Sequence, residues 1–350
     1  MTNFTISPST KKDGTTIANK INHSLRFKPK YLLYWIVGIV ILLAALLTAD
    51  YFLYPHFSQI GGRSFNTGQN ALWLNDSWYL GNAKESPKQL IQQLTQHQIR
   101  DAYFHVRYIK KDGTLRFHNA AIARHLTDVM HRDAPKIKNI AWIYIGNERG
   151  LTGVDIGNVH VRQMIVRQII WLVGKCGFDG VQLDYEICPD GDKSFLALLT
   201  ETRNALPKGK LLSVATPMCL LPPFRKFGWS EKYFSQVAAR CDQLAVMCYD
   251  SGVYWPRLYV WLVRQQAIRV TQTAAKGNPQ CRVVLGIPTY EKGGFSHHAY
   301  AENIRMSLKG VREGLANPNA KLSAFQGVAI FADYTTDKDE WKTYHDLWLE

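Results

Sequence analysis

Eight short apolar runs, each followed by a stretch with helical spacing, constrain this chain more than any other feature. The runs are residues 71–74, 102–106, 140–145, 180–185, 211–216, 243–249, 282–287 and 327–331, rich in Val, Ile, Leu and aromatic residues. Helical patterns fall between them, for example at 87–97, 159–175, 193–205, 231–239, 256–275 and 299–315. Apolar strands alternating with amphipathic helices build parallel βα units with right-handed crossovers. Eight such units in roughly 280 residues match the size of a closed (β/α)8 TIM barrel. An open doubly wound sheet is the competing arrangement, but it often begins with a Gly-rich turn, and no G-x-G-x-x-G follows the first run. A barrel also narrows the search for function, because side chains at the C-terminal ends of its strands surround the active site.

A second feature precedes the barrel. Residues 31–47 read YLLYWIVGIVILLAALL, and no charge stands between Lys30 and Asp50. A run of about 20 apolar residues matches the hydrocarbon thickness of a bilayer. The expected fold is therefore an α/β TIM barrel preceded by one N-terminal transmembrane helix. The chain divides into a basic cytoplasmic tail (1–30), a transmembrane signal anchor (31–54), a linker rich in Gly, Ser and Asn (55–69) and the barrel (70–350). Lys11, Lys12, Lys20, Arg26, Lys28 and Lys30 lie before the apolar run, and only Arg63 lies within about 20 residues after it. That asymmetry places the N-terminus in the cytoplasm and the barrel in the periplasm or outside the cell, as a single-pass membrane protein. A cleaved signal peptide is the competitor, but its apolar core is usually about 7 to 15 residues long and ends at a small-x-small site. Tyr31, Tyr34, Trp35, Tyr51 and Tyr54 fit interfacial anchors at the two ends. The bilayer is thus one expected partner.

The net charge of +14 would suit a polyanion, yet +5 of it belongs to the tail and the rest is spread without long basic runs. No helix-turn-helix or zinc finger is visible, so nucleic acid is not an expected partner. Cys176, Cys188, Cys219, Cys241, Cys248 and Cys281 form no CxxC pair and match no His at ligand spacing. No metal and no cofactor are expected. Several of these cysteines sit in apolar runs, which favours buried thiols.

The fourth run differs from the others. It reads FDGVQLDYE over residues 178–186, and alternation puts Gln182, Asp184 and Glu186 on one face about 6.6 Å apart. An interior face bearing Asp and Glu is costly for a purely structural strand. Like charges at that spacing raise the pKa of one partner, as a general acid working near neutral pH requires. Glu186, nearest the mouth, is the natural proton donor, with Asp184 one step deeper.

Residues 179–186, DGVQLDYE, resemble the DGxDxDxE signature of glycoside hydrolase family 18, the chitinase and endo-β-N-acetylglucosaminidase family. Three further segments agree in order: 245–250 (AVMCYD) resembles the family's strand six, 285–290 (LGIPTY) its strand seven and 327–333 its last strand. The resemblance implies a (β/α)8 barrel and substrate-assisted, retaining cleavage of β-linkages beside N-acetylhexosamines, in which the sugar's 2-acetamido oxygen attacks the anomeric carbon. By position, Glu186 would protonate the glycosidic oxygen and later activate water, Asp184 would orient the acetamido group, and Tyr249 would donate to its oxygen. Asp250 would contact substrate hydroxyls, while Asp179, with Gly180, would be structural at the barrel floor. Chitin-, peptidoglycan- or exopolysaccharide-like glycans are the implied partners.

Three departures stand against that pattern. Gln182 replaces the middle Asp of the signature; it can hydrogen-bond Asp184 but cannot share a proton with it. Phe331 stands where chitinases commonly place a Trp beneath the reacting sugar, and Tyr290 is followed by Glu291 instead of Gly. Trp73, Trp142, Tyr144, His105 and Trp255 fall at or beyond strand ends and offer stacking faces or core packing, with Trp255 the foremost stacking candidate. His105 reads equally as a core histidine or a ligand contact, and His297-His298 reads as a surface loop without a third metal ligand. Two functions remain: a membrane-anchored glycosidase and a catalytically silent, lectin-like barrel. Silent relatives usually lose the terminal Glu, and retention of Glu186 with Asp184 and Tyr249 favours the enzyme.

Overall fold

The computed structural model describes residues 29–57, 60–147, 150–221 and 228–350. The basic tail up to residue 28 lies outside them. The chain separates into two units, Met1–Tyr54 and Pro55–Glu350.

The first unit holds all but the last three residues of α1 (Pro29–Phe57), a 29-residue helix. Its stretch Leu32–Phe57 is long and apolar enough to cross a membrane, at about 39 Å for 26 residues and 1.5 Å per residue. Leu, Ile and Val project from all its sides and remain exposed. That pattern is unlike a helix packed by one apolar stripe. Residues 55–57, expected in the linker, form the helix's last turn, with Pro55 inside it.

The second unit is a closed barrel of eight parallel strands in sequential order. The elements are β1 (Asn70–Leu74), α2 (Ser77–Leu80), α3 (Pro87–Gln96), β2 (Ile99–Tyr108), α4 (Ala120–Asp133), β3 (Lys138–Gly146), α5 (Val159–Gly174), β4 (Gly180–Glu186), α6 (Lys193–Ala205) and β5 (Leu211–Thr216). They continue through α7 (Glu231–Ala238), β6 (Gln243–Val246), α8 (Pro256–Gly277), β7 (Arg282–Pro288), α9 (Ile304–Leu315), β8 (Phe325–Phe331) and α10 (Lys338–Tyr344), closed by a π turn at His345–Leu349. The expected TIM barrel is the observed fold. β6 is shorter than its apolar run: it ends at Val246, so Tyr249 and Asp250 stand on the loop that leaves the strand.

Alternation along the strands fills the barrel in layers. Bulky Trp73, Tyr103 and Trp142 interdigitate with small Ala71, Ala245 and Ala329. Toward the N-terminal end lies a buried polar layer. Gln243 and Gln326 each donate an amide N–H to Asp101 Oδ2 at 2.7 Å, and Tyr103 donates its hydroxyl to Gln243 at 2.8 Å. Asp179 anchors the start of β4: it accepts the Asn139 backbone N–H at 2.9 Å and lies 3.0 Å from His131 Nε2. Beside it, a Cβ on Gly180 would fall 2.3 Å from the Leu211 carbonyl oxygen, so β4 and β5 pair closely only with glycine there. All six cysteines are free and buried.

Candidate active site

The C-terminal end of β4 carries the chemistry. Asp184 is buried at 5% exposure and its Oδ2 accepts the Trp142 indole N–H at 2.9 Å. Its Oδ1, equally buried, has no hydrogen-bond partner among the described residues. Burial first, then the charge of Glu186, holds the Asp184 carboxyl well above the usual carboxylate range, with the Trp142 bond opposing. Glu186, half-buried two residues on, is also raised, by burial and then by the charge of Asp250. That environment favours the neutral form of both carboxyls.

Asn147 fixes the backbone around Glu186. Its N–H donates to the Glu186 carbonyl at 2.9 Å, its Nδ2 donates to the Ile187 carbonyl at 2.7 Å, and its Oδ1 accepts the Ile187 N–H at 3.2 Å. The sequence reading passed over this residue; its only signal was an Asn directly after the third strand.

Tyr249 is buried at 6% exposure, and its hydroxyl has no hydrogen-bond partner among the described residues. Burial, then the neighbouring Tyr290, Asp184 and Glu186, pushes its pKa up, which keeps the phenol a donor. Its ring stacks on Phe331 with centroids 5.0 Å apart. Gly286 makes room for it, since a Cβ there would sit 3.0 Å from the ring and 2.8 Å from the Val246 carbonyl oxygen. Phe331 also meets Trp73, Trp142 and Tyr290 edge-on at 5.6, 6.1 and 5.9 Å. The half-buried Phe331 is thus the centre of an aromatic floor.

The remaining sequence candidates separate. Tyr290 donates its hydroxyl to Asp250 Oδ1 at 2.8 Å, so these two form one rim. Trp73 and Trp142 are buried, with their N–H groups spent on Gln182 and Asp184, and they support the floor from below. His105 stacks on Trp142 at 4.2 Å, and burial lowers its pKa to about 4, so its ring is neutral. Trp255 is half-buried at the start of α8, while its neighbour Tyr254 is exposed and stacks on His298.

Gln182 differs from expectation. Its Oε1 accepts the Trp73 indole N–H at 2.7 Å and its Nε2 donates to Ser213 Oγ at 3.1 Å, with the side chain wholly buried. No hydrogen bond joins it to Asp184 among the described residues. The register explains this: Gln182 pairs with Ser213 on β5, whereas Asp184 lies two residues along β4, about 6.6 Å away. Gln182 therefore lies beneath the site and not on its surface. His297 also differs: the expected surface loop buries it, with Nδ1 facing Glu302 at 3.3 Å and Asp250 at 3.7 Å. The spacing gave no warning because Asp250 comes from the preceding strand's loop.

A sequence profile for glycosyl hydrolases family 18 matches residues 77–347. The chain belongs to that family. Among curated proteins, none matches it by sequence. Solved structures share the barrel at low identity. The Bacillus cereus spore cortex-lytic enzyme SleL is 15% identical, with 82% of this chain and 75% of that one covered at a TM-score of 0.56. The Ostrinia furnacalis Group IV chitinase is 13% identical over 81% and 100%, at 0.54. The Cycas revoluta family 18 chitinase in complex with (GlcNAc)3 is 16% identical over 80% and 99%, at 0.55. At such identities the likeness shows a shared fold.

Proposed function

We propose that the chain is a membrane-anchored glycosidase that cleaves β-linkages beside N-acetylated hexosamines. One observation carries this reading: two buried polar atoms next to Glu186, the Tyr249 hydroxyl and Asp184 Oδ1, have no hydrogen-bond partner among the described residues. The Tyr249 phenol is a donor and, in the ionised form of Asp184, Oδ1 is an acceptor, together the complement of an acetamido carbonyl and N–H. Buried polar groups are nearly always paired, so a donor and an acceptor left over at one mouth point to a ligand that supplies both.

The reaction follows from that placement. Tyr249 and Asp184 hold the acetamido group so that its oxygen attacks the anomeric carbon as the glycosidic bond breaks. Glu186 gives its proton to the departing oxygen. Asp184 accepts from the amide N–H while positive charge develops on the oxazolinium ring. Water then adds at the anomeric carbon, Glu186 takes its proton, and the configuration is retained. No cofactor enters these steps. The aromatic floor around Phe331 offers an apolar face to the sugar ring. Helix α1 supplies the anchor, and the charge asymmetry around it puts the barrel on the outer side of the membrane.

The test is turnover of the full chain in detergent on fluorogenic N-acetylglucosamine oligomers and on peptidoglycan strands, with Glu186→Gln alongside. General acid catalysis predicts a loss of about 100- to 10,000-fold in the variant, with glycan affinity retained. Binding by both proteins with cleavage by neither would make this a glycan-binding barrel. Full turnover by Glu186→Gln would remove the proton-donor role.

A further inference from the structure

Beside the mouth, Asp250, His297 and Glu302 converge: one ligand-type atom from each lies within 4.8 Å of the others. Their hydrogen bonds fix which atoms face inward. His297 Nε2 lies 2.8 Å from the Tyr290 carbonyl oxygen, which can only accept, so Nε2 carries the ring proton. The neutral ring therefore presents a lone pair at Nδ1. Among the described residues this atom makes no hydrogen bond; its side chain has no exposure, and it faces Glu302 Oε2 at 3.3 Å and Asp250 Oδ1 at 3.7 Å.

A lone pair facing two acidic side chains offers a donor set that one cation can bridge. A hydrogen bond from a nitrogen donor spans about 2.7–3.2 Å. The Glu302 separation stands at the edge of that range and the Asp250 separation lies beyond it. Ligands on a tetrahedral zinc, at bond lengths of about 2.0–2.1 Å, lie about 3.3 Å from one another. The outer partners also match a metal site, in which each ligand is held by a second hydrogen bond. The Tyr290 carbonyl holds His297, the Tyr290 hydroxyl donates to Asp250, and the Ser251 N–H and hydroxyl donate to Glu302. We infer that Asp250 Oδ1, His297 Nδ1 and Glu302 Oε2 bind one divalent transition-metal cation, with zinc as the best match to the donor set. The half-exposed Asp250 leaves a side open to water as a fourth ligand. This inference stands whether or not the chain cleaves glycans.

The test is equilibrium dialysis of the untagged full chain in detergent, stripped with chelator and titrated with zinc, with bound metal counted. Wild type should take up one equivalent saturably. His297→Gln and Glu302→Gln should bind about 100-fold more weakly or worse, if loss of a ligand costs at least as much as loss of its supporting hydrogen bond. Glu313→Gln, on the outer face of α9, should bind as wild type. No saturable zinc in wild type, or unchanged binding in a folded His297→Gln protein, overturns the inference. Should the variants fail to fold, X-ray absorption of the cobalt-loaded wild type decides. One imidazole in the ligand shell sustains the site, and a shell without imidazole overturns it.

Discussion

Two carboxyl groups are buried inside the same barrel, and their surroundings are opposite. Asp101, near the N-terminal end, takes amide N–H bonds from Gln243 and Gln326, and those amides are tied in turn to each other and to Tyr103. Asp184, near the C-terminal end, takes one bond from Trp142, and its other oxygen has no partner among the described residues. Burial raises the pKa of both. The protein turns two amide donors onto the first and a single indole donor onto the second. A buried acid satisfied by its own chain specifies structure, whereas one left unsatisfied stores an interaction for something that arrives later.

The comparison can be broken most decisively by exchanging the two phenotypes. Asp184→Asn keeps an acceptor for the Trp142 N–H, so the unfolding free energy should change by less than about 1 kcal/mol, while turnover falls by roughly 100- to 1,000-fold, the scale of one lost transition-state contact. Asp101→Ala strands the amide donors of Gln243 and Gln326 and should cost about 2–4 kcal/mol. The molecules that remain folded should turn over normally. Denaturant unfolding and steady-state kinetics on the same preparations check both halves. An Asp101 variant that unfolds no more easily than wild type would show that the lower network is not structural.

How much of this was legible beforehand differs along each strand. The eight runs located all the barrel strands because a buried parallel strand must be apolar for its whole length, a one-dimensional signal. The acids of β4 were legible because they interrupt that signal. The reach of side chains across the barrel was not. Gln182 was expected beside Asp184, but its amide turns to Trp73 on β1 and Ser213 on β5, contacts 109 and 31 residues away in sequence. Trp73 and Trp142 read as stacking faces because strand-end aromatics often are; that their N–H groups point at buried acceptors depends on the closure of the barrel. The Asp250, His297 and Glu302 cluster escaped for the same reason, since its members come from two different loops. Helix α4 was not among the named helical stretches, and its His, Arg and Asp residues dilute the apolar spacing there.

Tyr249→Phe sharpens the comparison from the donor side. The hydroxyl makes no hydrogen bond among the described residues, so its removal should leave stability unchanged or slightly improved, within about 1 kcal/mol. Turnover on N-acetylated substrates should fall by about 100-fold if the hydroxyl stabilises charge developing on the acetamido group. Substrates lacking that group should be affected much less. An equal loss on both would assign Tyr249 to shaping the floor with Phe331 and not to the chemistry.

The smallest effect concerns the rim. Glu186 must carry a proton to act as the acid, so turnover falls as pH rises through its pKa. Burial sets that pKa above the ordinary carboxylate value first, and the negative charge of Asp250 adds to the rise. Asp250→Asn removes the charge and leaves the burial. The alkaline limb of kcat/KM should therefore move to lower pH while remaining above that of an exposed glutamate, measured with chelator present so that no cation compensates Asp250 in the wild type. A limb that stays in place would mean that burial alone sets the proton affinity of Glu186. The unsatisfied end of the barrel would then owe its acid to its depth, as Asp101 does at the other end, and the charges around the mouth would serve only to hold substrate.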